Sequence, residues 1–463
     1  MVEVNNISVL RQTTDNNDKT QNLQHLQDTF STSKQPVLHD GSILHKWHQH
    51  NELSRFGLRL TLHSTVLLFA LLLLILFFQT IDFKSIVQKV NAVKIICDRE
   101  KLWTAFQTAA AVAPTRSPKP ILRNVKLDAE NQTVILTATD MEVGIRIEVT
   151  GVEVESPGSI LVPVDRFGPI LRESSDEKLV IEADSHGIHV RGDHSEFKLP
   201  GENPDEFPQV AAFEEEKYHE LPSRLLRELI RRTLFATDNE SARYALGGIL
   251  LEFEGDKVTA VGTDGRRLAK MEGTGIAVGG HESGETMTIV PARSMQLVER
   301  AFTDADAELQ VAARANDILV RSPRTVVFSR LVEGRFPKWR DVFPVRQEAV
   351  RLDLAVGPMY SAVRQAAIVA SDDSRGIDFI FGNGTLVLSG STADIGQSRV
   401  ELPIPYDGRE ITITLDHRFL ADFLKVLDPE KTFTLEIENP ETAVLCTTDD
   451  GYGYVIMPLA RDR

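Results

Sequence analysis

The residues Val134–Asp140 (VILTATD) return as Val258–Asp264 (VTAVGTD) and again as Leu386–Thr392 (LVLSGST), with starts 124 and then 128 residues apart. Each copy alternates apolar with small or polar side chains, the pattern of a half-buried strand. A second marker keeps the same spacing. Val162-Pro163 with a helical stretch Asp165–Glu173 recurs as Val290-Pro291 with Arg293–Ala301 and as Thr414-Leu415 with His417–Leu427. Two markers at one period define a tandem repeat.

Within a copy, a strand leads into a helix and about three alternating strands follow, and this unit occurs twice. In the first copy the helices are Arg99–Val112, with Asp98 as N-cap, and Asp165–Glu173; the strands include Lys94–Cys97, Thr133–Ala138, Val143–Val149, Lys178–Ala183 and Gly187–Arg191. The expected fold class is α+β, with three tandem, structurally similar domains at 93–216, 217–345 and 346–463. The linkers, Glu202–Glu216 and Phe336–Glu348, carry turn-forming residues and no period.

Residues 1–92 do not share this pattern. A polar segment with His25, His39, His45, His48 and His50 lacks acidic or cysteine ligands at metal spacing, so it reads as exposed histidines. The apolar stretch Val66–Phe78 is shorter than the roughly 20 residues a bilayer needs, and it lies too deep for a cleavable signal. Two readings follow: a membrane-anchored protein-binding scaffold, or a start site placed too far upstream, with Val93 as the initiator. The regular strand-and-helix pattern beginning at Val93 favours the second.

The 463 residues carry a net charge of −16, which excludes a protein that coats nucleic acid through bulk positive charge. Cys97 and Cys446 are far apart, outside any disulfide framework or zinc spacing, which points to a reducing compartment, the cytoplasm. No phosphate-cradling GxxxxGK[ST] loop, HExxH or GxSxG is present, so neither catalytic residues, metal nor cofactor is expected. Asp372-Asp373 and Glu214–Glu216 read as solvated loop and linker charge, and the sequons Asn131–Thr133 and Asn239–Ser241 as unused. His186 and His189, the only close histidine pair in the repeats, fall at a strand turn.

Basic residues instead recur on equivalent helices. Arg224, Arg227 and Arg231 share one face over Ser223–Thr237, Arg293 and Arg300 share another, and Arg166 with Arg172 and Arg418 with Lys425 follow in the other copies. Their recurrence suggests a shared electropositive surface on an acidic protein.

With Ser241–Leu268 (SARYALGG…VGTDGRRL), Leu331–Pro344 (LVEGRFPKWRDVFP) and Tyr454–Leu459 (YVIMPL) in order, Val93–Arg463 resembles the bacterial sliding clamps, the β subunits of DNA polymerase III. The resemblance implies the DNA-clamp fold, a head-to-tail homodimer closing a six-domain ring around double-stranded DNA, and a processivity role without catalysis as accessory subunit of a DNA-directed DNA polymerase. It implies DNA contacts at Arg116, Arg172, Arg293 and Arg300. It further implies a hydrophobic partner-peptide groove at Leu246, Thr263, Gly265, Arg267, Leu268, Pro337, Val342, Val455, Met457, Pro458 and Leu459, with Leu268 and Met457 facing solvent. Expected partners are the polymerase catalytic subunit, the clamp loader, other polymerases, mismatch-repair proteins and ligase. Two departures stand out. The tail Ala460–Arg463 is longer than the family pattern, and Glu240 replaces a neutral DNA-contacting residue.

Overall fold

The computed structural model describes residues 93–460 except 185, 239–243, 285, 344–345, 347–348 and 372–374. The expectations for the segment 1–92, Glu240, the sequon at 239–241, Asp372-Asp373 and the last three residues lie outside the described residues. Among the described residues no helix is long and apolar enough to cross a membrane.

The first module opens with β1 (Val93–Asp98) and α1 (Arg99–Ala110). Asp98 caps that helix, its carboxylate accepting from the Lys101 N–H at 3.1 Å. There follow β2 (Asn124–Glu130), β3 (Thr133–Thr139), β4 (Val143–Val149), β5 (Val152–Ser156), β6 (Gly158–Pro163), α2 (Val164–Glu173), β7 (Lys178–Asp184), β8 (Gly187–Arg191) and β9 (Glu196–Leu199). The second repeats this as β10 (Tyr218–Pro222), α3 (Ser223–Thr233), β11 (Gly248–Glu254), β12 (Lys257–Thr263), β13 (Arg267–Thr274), β14 (Ile276–Val278), β15 (Thr288–Pro291), α4 (Ala292–Ala301), β16 (Glu308–Ala313), β17 (Asp317–Arg321) and β18 (Thr325–Arg330). The third contains β19 (Val350–Ala355), α5 (Val356–Ala366), β20 (Gly376–Gly382), β21 (Thr385–Thr392), β22 (Gly396–Pro403), β23 (Ile411–Asp416), α6 (His417–Lys425), β24 (Thr432–Ile437), β25 (Val444–Thr447) and β26 (Gly453–Ile456). The three marker segments are thus β3, β12 and β21, the same strand of each copy.

The sheets do not respect the module boundaries. β4 pairs antiparallel with β18, which fuses β6-β2-β3-β4 of the first module to β18-β17-β16-β10-β14 of the second in one sheet. β13 pairs with β26 in the same way and fuses the second module to the third, in the order β15-β11-β12-β13-β26-β25-β24-β19. Two smaller sheets remain, β5-β1-β7-β8-β9 and β22-β21-β20-β23.

Alternation decides which face each strand buries. On β3, Val134, Leu136 and Ala138 are fully buried toward α1, whose Leu102, Phe106 and Ala109 meet them in the main core. The opposite faces of the two fused sheets are crossed by the linkers, which behave as straps. Phe207, Val210 and Phe213 are buried along the first, Phe336 and Trp339 along the second. What the sequence reading did not show is that these period-free linkers pack down on the sheets. Their buried residues follow the sheet beneath them rather than a helical or strand period.

Candidate functional site

The turn into β13 organises the junction between modules two and three. The Thr263 hydroxyl donates to the Arg267 carbonyl at 2.6 Å and accepts the Gly265 N–H at 3.1 Å. The Asp264 carboxylate accepts the N–H groups of Arg266 and Arg267 at 2.9 and 3.0 Å. Gly265 has φ +88°, a conformation that costs glycine little. The first module builds the same turn from Thr139, Asp140 and Met141 before β4. There Met141 takes φ +83° despite its side chain, a strained position.

Arg267 leaves this turn nearly buried, its side chain 10% exposed. It pairs with Asp264 at 2.9 Å and with Asp422 of α6 at 2.6 Å, and donates to the Phe235 carbonyl at 2.6 Å. Its guanidinium also lies over the rings of Phe235 and Phe419. So rigid an arginine is a strut between modules. Leu268 faces Val455 across the β13–β26 ladder. Both are buried in a second core with Leu250, Val261, Ile289, Phe336, Trp339 and Leu445. This corrects the expectation of a solvent-facing Leu268. The strap carrying Trp339 covers that face of the sheet, so the leucine is 2% exposed.

The remaining groove positions fall around this core. Met457 is 44% and Val342 is 41% exposed. Pro337 is exposed, Pro458 and Leu459 are half-buried, Leu246 is buried at the end of the short helix Tyr244–Leu246, and Thr263 is buried in its turn. The Met457 N–H donates to the Arg266 carbonyl and the Leu459 N–H to that of Thr414, so the tail runs from β13 to β23. The sequence reading missed Phe336, Trp339 and Asp422. The first two stood inside the quoted LVEGRFPKWRDVFP stretch, whereas no spacing connects Asp422 to Arg267.

Of the basic positions, Arg116 is exposed in the loop after α1, Arg172 is exposed in the last turn of α2 beside Glu173, and Arg300 is exposed on α4. Arg293 is 61% exposed yet pairs at 2.6 Å with Asp140 of the first module. Arg293 and Arg300 border one cleft with Ala111, Val112 and Val143, where modules one and two meet. Arg224, Arg231 and Lys425 are exposed as their spacing predicts. Arg227 is only half-exposed and donates to the Thr303 carbonyl, and Arg418 is bound by Asp416, the N-cap of α6. Among the described residues no group of three or more histidine, cysteine or acidic side chains is placed to hold a metal ion.

Residues 93–211 match the N-terminal domain family of the DNA polymerase III beta subunit, 220–338 its central domain family and 340–460 its C-terminal domain family. The chain belongs to the DNA polymerase III beta subunit family. Among curated sliding-clamp relatives, the beta sliding clamp of Chlamydia muridarum is 28% identical over 79% of this chain and 98% of its own length. That of Pseudomonas aeruginosa is 29% identical over 78% and 98%. The crystal structure of the P. aeruginosa DNA polymerase III subunit beta superposes with a TM-score of 0.74 at 26% identity, covering 80% of this chain and all of that one. The Bacillus subtilis sliding clamp gives a TM-score of 0.75 at 21% identity, with the same coverage. The three family matches begin at residue 93 and together take in all three modules.

Proposed function

We propose that the chain is a processivity clamp: two copies join head to tail in a six-module ring that encircles duplex DNA and tethers a replicative polymerase. The observation that carries this reading is a pair of spare sheet edges. At each internal junction the strand entered by the first half of one module, β4 or β13, pairs with the last strand of the next, β18 or β26. Continuing the rule leaves, among the described residues, one strand of each kind without a partner in a neighbouring module: β22 in the third module and β9 in the first. A long unpaired edge is a liability unless something covers it. A second copy laid β9 to β22 covers one pair of edges and, by the same rotation, brings the other pair together, so the assembly closes at two copies.

Apolar exposure at these edges supports the reading. Ile368 is 76% exposed just after α5, where the Ser398 hydroxyl of β22 donates to the Ala366 carbonyl, and Phe197 on β9 is 37% exposed. The DNA-facing set is Arg116, Arg172, Arg293 and Arg300. Contacts of this kind are to phosphate and independent of base sequence, and closure of the ring rather than affinity provides residence time. The tail from Met457 to Leu459, with Pro337 and Val342, forms the docking groove for the polymerase catalytic subunit, the clamp loader, other polymerases, mismatch-repair proteins and ligase, in the cytoplasm. A groove of apolar anchors with a polar rim suits short peptides. The test is topological. The protein should run as a dimer by light scattering, stay on closed circular DNA once loaded, and leave when the circle is cut. A strict monomer at micromolar concentration, or equal retention on linear DNA, would overturn the proposal.

A further inference from the structure

The two straps cross equivalent sheet faces but cover different chemistry. Beneath the second, Leu250, Val261 and Lys270 lie in register across β11, β12 and β13. Leu250 and Val261 are buried with Trp339, and Lys270 lies over the Phe343 ring and pairs with Glu272 at 3.1 Å, so every member of this row has its partner. The corresponding row beneath the first strap is Lys126, Thr137 and Arg146, in register across β2, β3 and β4. Here the strap does not close down. A cleft of about 560 Å³ remains between the strap residues Phe207–Ala212 and this row, with Asp128 and Glu214 also on its wall.

Two features of the row point to a missing counterpart. Arg146 is half-buried and has no ion pair or side-chain hydrogen bond among the described residues. The Thr137 hydroxyl, on a residue only 3% exposed, is likewise without a partner. A buried hydroxyl and a partly desolvated guanidinium are each costly to leave unsatisfied. The second module has apolar residues at the Lys126 and Thr137 positions and, at the Arg146 position, a lysine paired with Glu272. The acids on the wall do not answer this need. Asp128 is occupied by Lys126 at 3.0 Å and by the Ser159 hydroxyl at 2.5 Å, and Glu214 is exposed at the rim.

We propose that this cleft is an oxyanion-binding site in which Arg146 and Lys126 hold a phosphate or carboxylate group and Thr137 donates a hydrogen bond to it. Arg146 offers the planar fork that matches either anion, and Lys126 a point charge at its side. The strap is held over the site at both ends. Val210 packs against Gly144, where a Cβ would approach its side chain to 2.7 Å, and Phe213 lies under the Arg321 guanidinium at 4.2 Å. An anion seated between strap and sheet therefore stiffens the connection between modules one and two. This inference does not depend on ring assembly or DNA binding.

The experiment titrates the full chain with inorganic phosphate, and separately with acetate, against sodium chloride at matched ionic strength, following the amide signals of β2–β4 and the melting temperature. Saturable shifts confined to the cleft are expected with at least one probe. Stronger binding of phosphate identifies a phosphate group as the ligand, and stronger binding of acetate a carboxylate. Arg146→Gln should weaken binding about tenfold or more. Thr137→Val should weaken it about fivefold while melting no lower than the parent, because it removes an unpaired hydroxyl. Glu214→Gln should tighten it. Absence of saturable binding to either anion overturns the proposal, as does unchanged binding in both Arg146→Gln and Thr137→Val. Because Thr137→Val preserves shape, it remains decisive even if Arg146→Gln folds poorly.

Discussion

Leu268→Ala and Met457→Ala, made separately, are expected to fail in different ways, because one residue belongs to a core and the other to a surface. Leu268 is 2% exposed among Leu250, Val261, Trp339 and Val455, so truncating it should cost about 2–5 kcal/mol of stability. Met457 has more than half its surface covered already, and a partner can bury only the remaining 44%. Full burial of such a side chain contributes about 1.5–3 kcal/mol. The share left for a partner is about 0.7–1.3 kcal/mol, roughly a three- to ninefold change in Kd. Fluorescence anisotropy of a labelled polymerase-derived peptide measures the second effect, and chemical denaturation followed at Trp339 the first. Met457→Ala should bind three- to ninefold more weakly with an unchanged denaturation midpoint. If instead Leu268→Ala unfolds like the parent, the second core is wrongly drawn, and if Met457→Ala binds the peptide normally, the tail does not line the groove.

Reversing Arg116, Arg172, Arg293 and Arg300 to glutamate should abolish retention on circular DNA and leave the dimer intact; unchanged retention removes these residues from the DNA-facing set. Asp140→Asn removes the carboxylate that neutralises the exposed Arg293; it should cost at most about 1 kcal/mol of stability and strengthen DNA association in low salt, read by salt-dependent binding. A Cβ on Gly262 would meet the Thr233 carbonyl at 2.3 Å, so Gly262→Ala should destabilise the second module by about 1–3 kcal/mol in a denaturant titration. His281 accepts the Ala313 N–H at Nε2, which leaves its proton on Nδ1 to donate to His219 Nδ1 at 2.7 Å, while His219 Nε2 donates to the Gly255 carbonyl. Burial, and after it the charge of His219, hold His281 below its usual 6.5, against smaller opposing effects of Ala313 and Glu215. The unfolded chain therefore takes up this proton first: the stabilisation is complete above about pH 6.5 and is lost as pH falls below it. His281→Asn should flatten that part of the stability–pH curve, and an unaltered slope would refute the assignment.

The repeat was legible because VILTATD and its copies occupy the same strand, and period-two alternation marks a strand wherever one face is buried. Capping was legible too, since Asp98 announces α1. Pairing between modules was not. Nothing local in Val143–Val149 or Thr325–Arg330 says that they share a ladder, because register across a sheet is set by tertiary packing. That the linkers pack as straps was not legible for a related reason. Phe207, Val210 and Phe213 are spaced by contact with strands that run beneath them, and such spacing has no period of its own. On the helices the sequence placed Arg224 and Arg231 correctly on an exposed face. It passed over Arg232, whose ion pair with Asp450 at 2.7 Å spans 218 residues and has no local signature.

Because β4 hydrogen-bonds to β18, and β13 to β26, the covalent seams of this chain and its mechanical joints are out of phase by half a module. A protease that nicked either strap would cut the backbone where a sheet still bridges the gap, and the pieces would stay together until the ladder was pulled apart. Bending the chain at its linkers would likewise require shearing a nine-stranded or an eight-stranded sheet, which resists deformation far more than a flexible connector. Compliance is thereby pushed outward to the places where the continuous sheets run out, β9 and β22 among them, so that the seams where β9 meets β22 of a second copy are where force applied to the assembly would be felt first.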